Sequence, residues 1–185
     1  MPVHVGDAYA VRIDEDKFQL DTFDSIIDAI DSLENKMQLL WHATRTKATV
    51  FSSMGAALKM DPTRIKVAEF WKVAGCPLAR ALRDKFKRKK MNLKKKVLCV
   101  YSDELLKNRG KNSSCGTEAC MCPKVRSEHS EAELKNAELI GHEWCSSKAQ
   151  INGTMAHATA IFGFMLAGLV MQDIYRKELV ESARQ

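Results

Sequence analysis

Between Ser25 and Phe51 the hydrophobic pattern changes period twice, and this constrains the fold more than any other feature of the 185-residue chain. Ser25-Ile26-Ile27-Asp28-Ala29-Ile30-Asp31 is a short β-branched run ending in acids, the pattern of a buried parallel strand. Leu33, Met37, Leu40 and Trp41 then fall at helical spacing, which predicts a helix to about Thr46. Ala48-Thr49-Val50-Phe51 returns to a buried strand, and Gly55 marks the turn after it. A strand, helix and strand of these lengths suit a right-handed parallel crossover. Periodicity alone gives an α/β domain containing such a crossover.

The rest of the chain extends that pattern. Upstream, Tyr9-Ala10-Val11-Arg12-Ile13 alternates like a strand. After the Asp61-Pro62 turn signal, Arg64-Ile65-Lys66-Val67 alternates as a strand with one solvated face. Pro77 stands where a first helical turn tolerates it, and Leu78, Leu82 and Phe86 form a predicted inner stripe. Val97 to Tyr101 is another buried strand. Residues 107–150 are polar and cysteine-rich without sustained periodicity, so they are expected to form a long loop or insertion within one domain spanning 1–185. Ala158 to about Leu179 is expected to be helical, apolar first and amphipathic later.

Composition narrows the class. The chain is 45% hydrophobic and 28% charged, enough for one globular core and unlike disordered or fibrous sequences. Its longest apolar run, Ala158 to Met171, is shorter than the roughly 18 residues of a spanning helix, so a buried core helix is expected and no membrane crossing. The N-terminal residues show neither a cationic nor an apolar leader region, and six cysteines without an export signal point to free thiols in a reducing, cytoplasmic setting.

The net charge of +6 is unevenly distributed. Ten Lys or Arg lie between Arg80 and Lys96, against Asp84 alone. Such a segment either neutralises phosphates or is a solvated helix end.

Five stretches occur in order and at compatible spacing: Asp28-Ala29-Ile30-Asp31-Ser32, Ser52-Ser53-Met54-Gly55 through Asp61-Pro62-Thr63, Pro77 to Arg83, Val100-Tyr101-Ser102, and Thr159-Ala160-Ile161-Phe162-Gly163-Phe164. Together they resemble the tRNA threonylcarbamoyladenosine dehydratases, of the ubiquitin-activating-enzyme-like, ThiF-type superfamily. The resemblance runs from about Phe23 to Met171 and matches the later part of the family. It implies an α/β, Rossmann-like adenylating fold with a mostly parallel three-layer sheet, in which ATP adenylates the carboxylate of a threonyl arm on a tRNA adenosine and cyclisation expels AMP. No G-x-G-x-x-G phosphate-cradling run occurs in the sequence, so the N-terminal phosphate-loop half is expected to be lacking and the chain alone to be inactive or weak.

The resemblance also assigns candidate residues. Asp31 would help hold Mg with ATP, since a carboxylate at the C-terminal end of a parallel strand faces the ligand crevice; the alternative is an N-cap of the following helix. Ser32 adjoins it. Lys36 would reach phosphate or else pair with Glu34 or Asp31 on a solvated surface. Asp28 is expected to accept structural hydrogen bonds. The turn at Ser52–Gly55 departs from the family's glycine-rich pattern through Ala56-Ala57, which gives up positive φ. Arg80, Arg83, Lys87, Arg88, Lys89 and Lys90 would contact tRNA phosphates.

No residue is marked out as a catalytic nucleophile or base. Cys115, Cys120, Cys122 and Cys145 with His129 and His142 lack paired Cys-x-x-Cys spacing, so free thiols are the default over zinc. His157 is expected to cap the apolar helix or sit at the core edge. Expected partners are tRNA and either a second copy or a complementary nucleotide-binding chain. Activation of a sulfur carrier or ubiquitin-like protein, and a non-catalytic tRNA-binding or dimerisation module, remain alternatives.

Overall fold

A computed structural model describes residues 19–108 and 152–183. The chain divides into two units, Met1–Leu106 with Thr154–Gln185, and Lys107–Gly153. The first holds the sheet. The proposed strand at Tyr9–Ile13 and most of the cysteine-rich stretch lie outside the described residues.

Four strands, β1 (Ser25–Asp28), β2 (Thr49–Ser53), β3 (Ile65–Glu69) and β4 (Leu98–Ser102), form a sheet in the order β1-β2-β4-β3. β1, β2 and β4 are parallel, with Asp28, Ser52 and Cys99 in register across them. β3 closes the far edge antiparallel to β4. Helix α1 (Leu33–Ala43) connects β1 to β2, and α2 (Pro77–Arg88) connects β3 to β4. The long helix α3 (Ala156–Ser182) follows in the chain.

Alternation along the central strands sends successive side chains to opposite faces, giving two cores. On one face Ile26, Val50, Cys99 and Tyr101 meet Met37, Leu40 and Ala43 of α1 and Ala79, Leu82 and Phe86 of α2. On the other, Phe51, Ile65 and Val100 meet Phe162 and Leu166 of α3. This is the expected three-layer α/β arrangement.

Helix α2 begins on Pro77, whose fixed φ and missing N–H suit a first turn. It buries Leu82 and Phe86, each stabilising by about 1.5–3 kcal/mol. Phe86 packs edge-on against Phe70, ring centroids 5.8 Å apart. Of the predicted stripe, Leu78 is only half-buried and Ala79 takes the innermost place.

Two expectations are corrected. β1 stops at Asp28 and is not fully buried: it edges the described sheet, and Ile27 is 49% exposed. The apolar helix is not a buried core helix either. It runs 27 residues, and only Ala158, Phe162 and Leu166 are buried, while Phe164, Met171 and Tyr175 are largely exposed. The run looked short because polar residues after Met171 continue the same helix; by length and composition alone it could cross a membrane.

Candidate functional site

The parallel strands fix one edge at which their C-terminal ends emerge together, the edge where ligands bind in open α/β sheets. Three connections leave it: 29–32 after β1, 54–61 after β2, and 103–106 after β4.

Asp31 lies exposed in the first connection, three residues beyond the strand. It is not the helix N-cap. Ser32 holds that position with extended backbone, and its carbonyl accepts from Lys36 N at 2.9 Å, although its side chain makes no capping bond. Asp31 thus carries its carboxylate at the carboxyl edge, one residue before the helix cap.

Lys36 overturns the solvated-lysine reading. Its side chain is fully buried, with Nζ 2.7 Å from Asp28 Oδ2 and donating to the Ile30 carbonyl at 3.1 Å. Neither Glu34 nor Asp31 is the salt-bridge partner in this pair. Asp28 is equally buried; it accepts from Ser52 Oγ at 2.6 Å and from Ile30 N at 3.0 Å. The structural expectation for Asp28 holds, because a buried carboxylate is tolerable only when paired and hydrogen-bonded. Ser52 reaches it because Asp28 and Ser52 are register partners on β1 and β2.

The second connection needs no positive φ at the positions the sequence drew attention to. Gly55 has only Leu78 near it, at ordinary contact distance, and the left-handed residue is Leu58, with φ +55°. Lys59, which sequence reasoning passed over, is buried there and donates to the Glu104 carbonyl. Burial lowers its pKa. The Glu104 carboxylate accepts from Met60 N at 2.7 Å and Asp61 N at 3.0 Å, tying the second connection to the third. His157, exposed in the first turn of α3, places Nε2 2.8 Å from the Met60 carbonyl. It is hydrogen-bonded as expected of a core-edge histidine, but it is exposed and does not cap its own helix. Asp103 is held below the usual carboxylate range by hydrogen bonds from Lys66 and Arg64.

The basic segment is divided by its contacts. Arg83 donates to the Phe70 carbonyl at 3.1 Å, and Lys89 and Lys85 both pair with Glu34. Burial alone would raise the Glu34 pKa, yet hydrogen bonds from Lys85, Lys89 and Gln38 outweigh it and hold the carboxyl at about 2. Arg80, Lys87, Arg88 and Lys90 are exposed on the helix and its end. Arg80, Arg83 and Lys87 recur at spacings of three and four, one helical face.

A magnesium ion bound with ATP fits this edge on its donor chemistry. Mg²⁺ takes oxygen ligands, one or two carboxylates completed by substrate phosphates, and Asp31 would supply one such oxygen pair. Among the described residues no cluster of three or more His, Cys, Asp or Glu could hold a metal without a ligand's help. The candidate zinc ligands lie outside the described residues. Of the buried thiols, burial pushes Cys99 far above the usual range, which removes it as a thiolate nucleophile.

No protein-family model matches the chain. A curated tRNA threonylcarbamoyladenosine dehydratase of Haemophilus influenzae is 31% identical over 161 residues, covering 84% of this chain and 52% of that protein. The crystal structure of E. coli tRNA N6-threonylcarbamoyladenosine dehydratase, TcdA, in complex with AMP is similar at 26% identity and a TM-score of 0.56, over 88% of this chain and 51% of that one. The same enzyme in complex with ATP is similar at 25% identity and a TM-score of 0.55, over the same shares. The chain spans about half the length of these proteins. The resemblance carried by the motif order is therefore found in both sequence and structure, and the fold is of the ThiF-type, Rossmann-like kind.

Proposed function

We propose that this chain supplies the second half of an ATP-dependent tRNA threonylcarbamoyladenosine dehydratase. The observation that carries the reading is structural: about half of an enzyme solved with AMP and with ATP superimposes on 88% of this chain. In the proposed reaction a carboxylate oxygen of the threonyl arm attacks the α-phosphorus of ATP and pyrophosphate leaves. A carbamoyl group of the same arm then attacks the acyl carbon and closes the ring, the acyl–oxygen bond breaks with its electron pair leaving on AMP, and the carbamoyl N–H proton passes to solvent.

Asp31 would orient Mg-ATP, and magnesium would supply charge neutralisation between phosphates. The exposed cations Arg80, Lys87, Arg88 and Lys90 would bind tRNA phosphates, with Arg83 and Lys89 contributing less because each already has a partner inside the protein. Positioning and electrostatics are what such a site contributes.

A complementary nucleotide-binding chain is one partner in this reading, supplying the G-x-G-x-x-G run that does not occur among these residues. The edge of β1, with Ile27 exposed beside it, is where a further parallel strand would add. A second copy is the other partner, and the exposed Phe164 and Met171 of α3 would meet it. We read α3 as facing a protein and not a bilayer, because Phe162 and Leu166 seat it on the sheet.

The test is to mix the purified chain with Mg-ATP and threonylcarbamoyl-modified tRNA and measure AMP and cyclised nucleoside. The chain alone is expected to give little of either and to gain activity with a Gly-rich nucleotide-binding partner. Full activity alone refutes the need for that partner, and no activity in any combination refutes the reading.

A further inference from the structure

The buried pair Lys36–Asp28 holds both backbone groups of a single residue. Asp28 Oδ1 accepts the N–H of Ile30 at 3.0 Å, and Lys36 Nζ donates to the carbonyl of the same residue at 3.1 Å. The two side chains meet at 2.7 Å, both fully buried, and Ser52 Oγ completes the carboxylate at 2.6 Å. Ile30 immediately precedes Asp31.

We propose that Lys36 and Asp28 are positioning residues that clamp the 29–32 connection, so that Asp31 presents its carboxylate to a cation-bound nucleoside triphosphate. This rests on the proposed function and extends it to two residues that would not touch the ligand. A merely stabilising ion pair does not account for the arrangement. Hydrophobic pairs of similar volume usually serve stability as well or better, since desolvating two charges is costly. What an apolar pair cannot do is take an N–H and a C=O of one peptide segment simultaneously. The connection has no regular structure, and the helix it enters has no side-chain cap. The clamp reaches from three elements, with Asp28 on β1, Ser52 on β2 and Lys36 at the end of the first turn of α1. Ile30 is therefore fixed relative to the sheet and the helix at once. Outer residues of this kind commonly change ligand affinity about 10–100-fold without touching the ligand.

The experiment compares the full chain with the double variant Lys36→Met/Asp28→Leu and with Asp31→Asn. The double variant removes both charges together, so no unpaired charge is left to unfold the protein. Three quantities are read: thermal midpoint, amide hydrogen exchange along the backbone, and affinity for Mg-ATP titrated to millimolar concentrations. The double variant is expected to keep its fold, to exchange the amides of 30–32 at least about tenfold faster while those of β2 stay protected, and to bind Mg-ATP about tenfold or more weakly. Asp31→Asn is expected to weaken Mg-ATP equally with unchanged exchange. Unchanged exchange at 30–32, or a uniform rise across the sheet, overturns the clamp. Faster local exchange with Mg-ATP affinity unmoved in both variants, or no Mg-ATP binding by the unsubstituted chain even beside a Gly-rich nucleotide-binding partner, overturns instead the nucleotide reading of Asp31 on which it rests.

Discussion

The backbone passes Asp103 so closely at Gly75 that a Cβ there would stand 2.9 Å from the Asp103 Cβ and 3.0 Å from its Cα. Gly75 also has φ +71°, a conformation that other residues rarely adopt. Both constraints act on the segment joining β3 to α2, beside the connection that leaves β4. Gly75→Ala is therefore expected to destabilise the fold by about 1–3 kcal/mol, read as a shifted urea midpoint at constant slope. An unchanged midpoint would show that this segment relaxes freely.

Asp31→Asn tests the site itself. The substitution keeps shape and removes the charge that a hard cation needs. In an active complex, adenylation measured as ATP–pyrophosphate exchange should fall about tenfold or more, with stability moving by no more than about 0.5 kcal/mol, as is usual for an exposed side chain. Equal exchange rates reduce Asp31 to a connecting residue.

Arg80, Lys87 and Arg88 are expected to contact RNA phosphates, and Lys85, already paired with Glu34, is not. Replacing each of the first three by Gln should weaken tRNA binding across sequences and lower the salt slope by about 0.7–1 per contact. Lys85→Gln should leave that slope alone. If none of the four moves the slope, the segment is a solvated surface.

Glu34 sets an acid-side dependence. Its folded pKa of about 2 lies below the ordinary 4.5, so the stabilisation it confers is present above about 4.5 and fades as pH falls toward 2. Glu34→Gln should be slightly less stable at neutral pH and should flatten the loss of stability between those values, measured by thermal unfolding across pH. The contribution is modest, because the carboxylate is partly solvated and screened. A variant with the same acid profile as the parent excludes this role.

Phe164→Ser combined with Met171→Ser tests the proposed second copy. Both side chains are more than 60% exposed, so stability should move by no more than about 0.5 kcal/mol per site. Sedimentation should show the variant as a monomer where the parent associates. Association that survives both substitutions places the contact elsewhere.

Local periodicity was a good guide to the elements. The strands near 25, 49, 65 and 98 and the helices at 33, 77 and 156 all lie where apolar spacing puts them, with ends shifted by one to three residues. It was a poor guide to surroundings. Lys36 looked like any lysine on a helix near two acids, and nothing in its spacing reveals that Asp28 and the Ile30 carbonyl await it inside. Lys59 was missed for the same reason: its partner, Glu104, lies 45 residues away. A possible signal was its place, a lone cation among the small and apolar residues of a turn.

What the sequence by itself determined is therefore the kind and order of elements, and the motif order that carries the resemblance, because period and turn chemistry are properties of neighbouring residues. Only the tertiary structure decided that β1 has an exposed side, that α3 buries one stripe and leaves another to solvent, and that Ser32, not Asp31, caps α1. Burial and pairing depend on what distant segments bring to a residue. The same four-carbon lysine stem that would reach into water from an uncovered helix becomes, at Lys36, a buried clamp, because β1 and β2 place a carboxylate and a carbonyl within its reach.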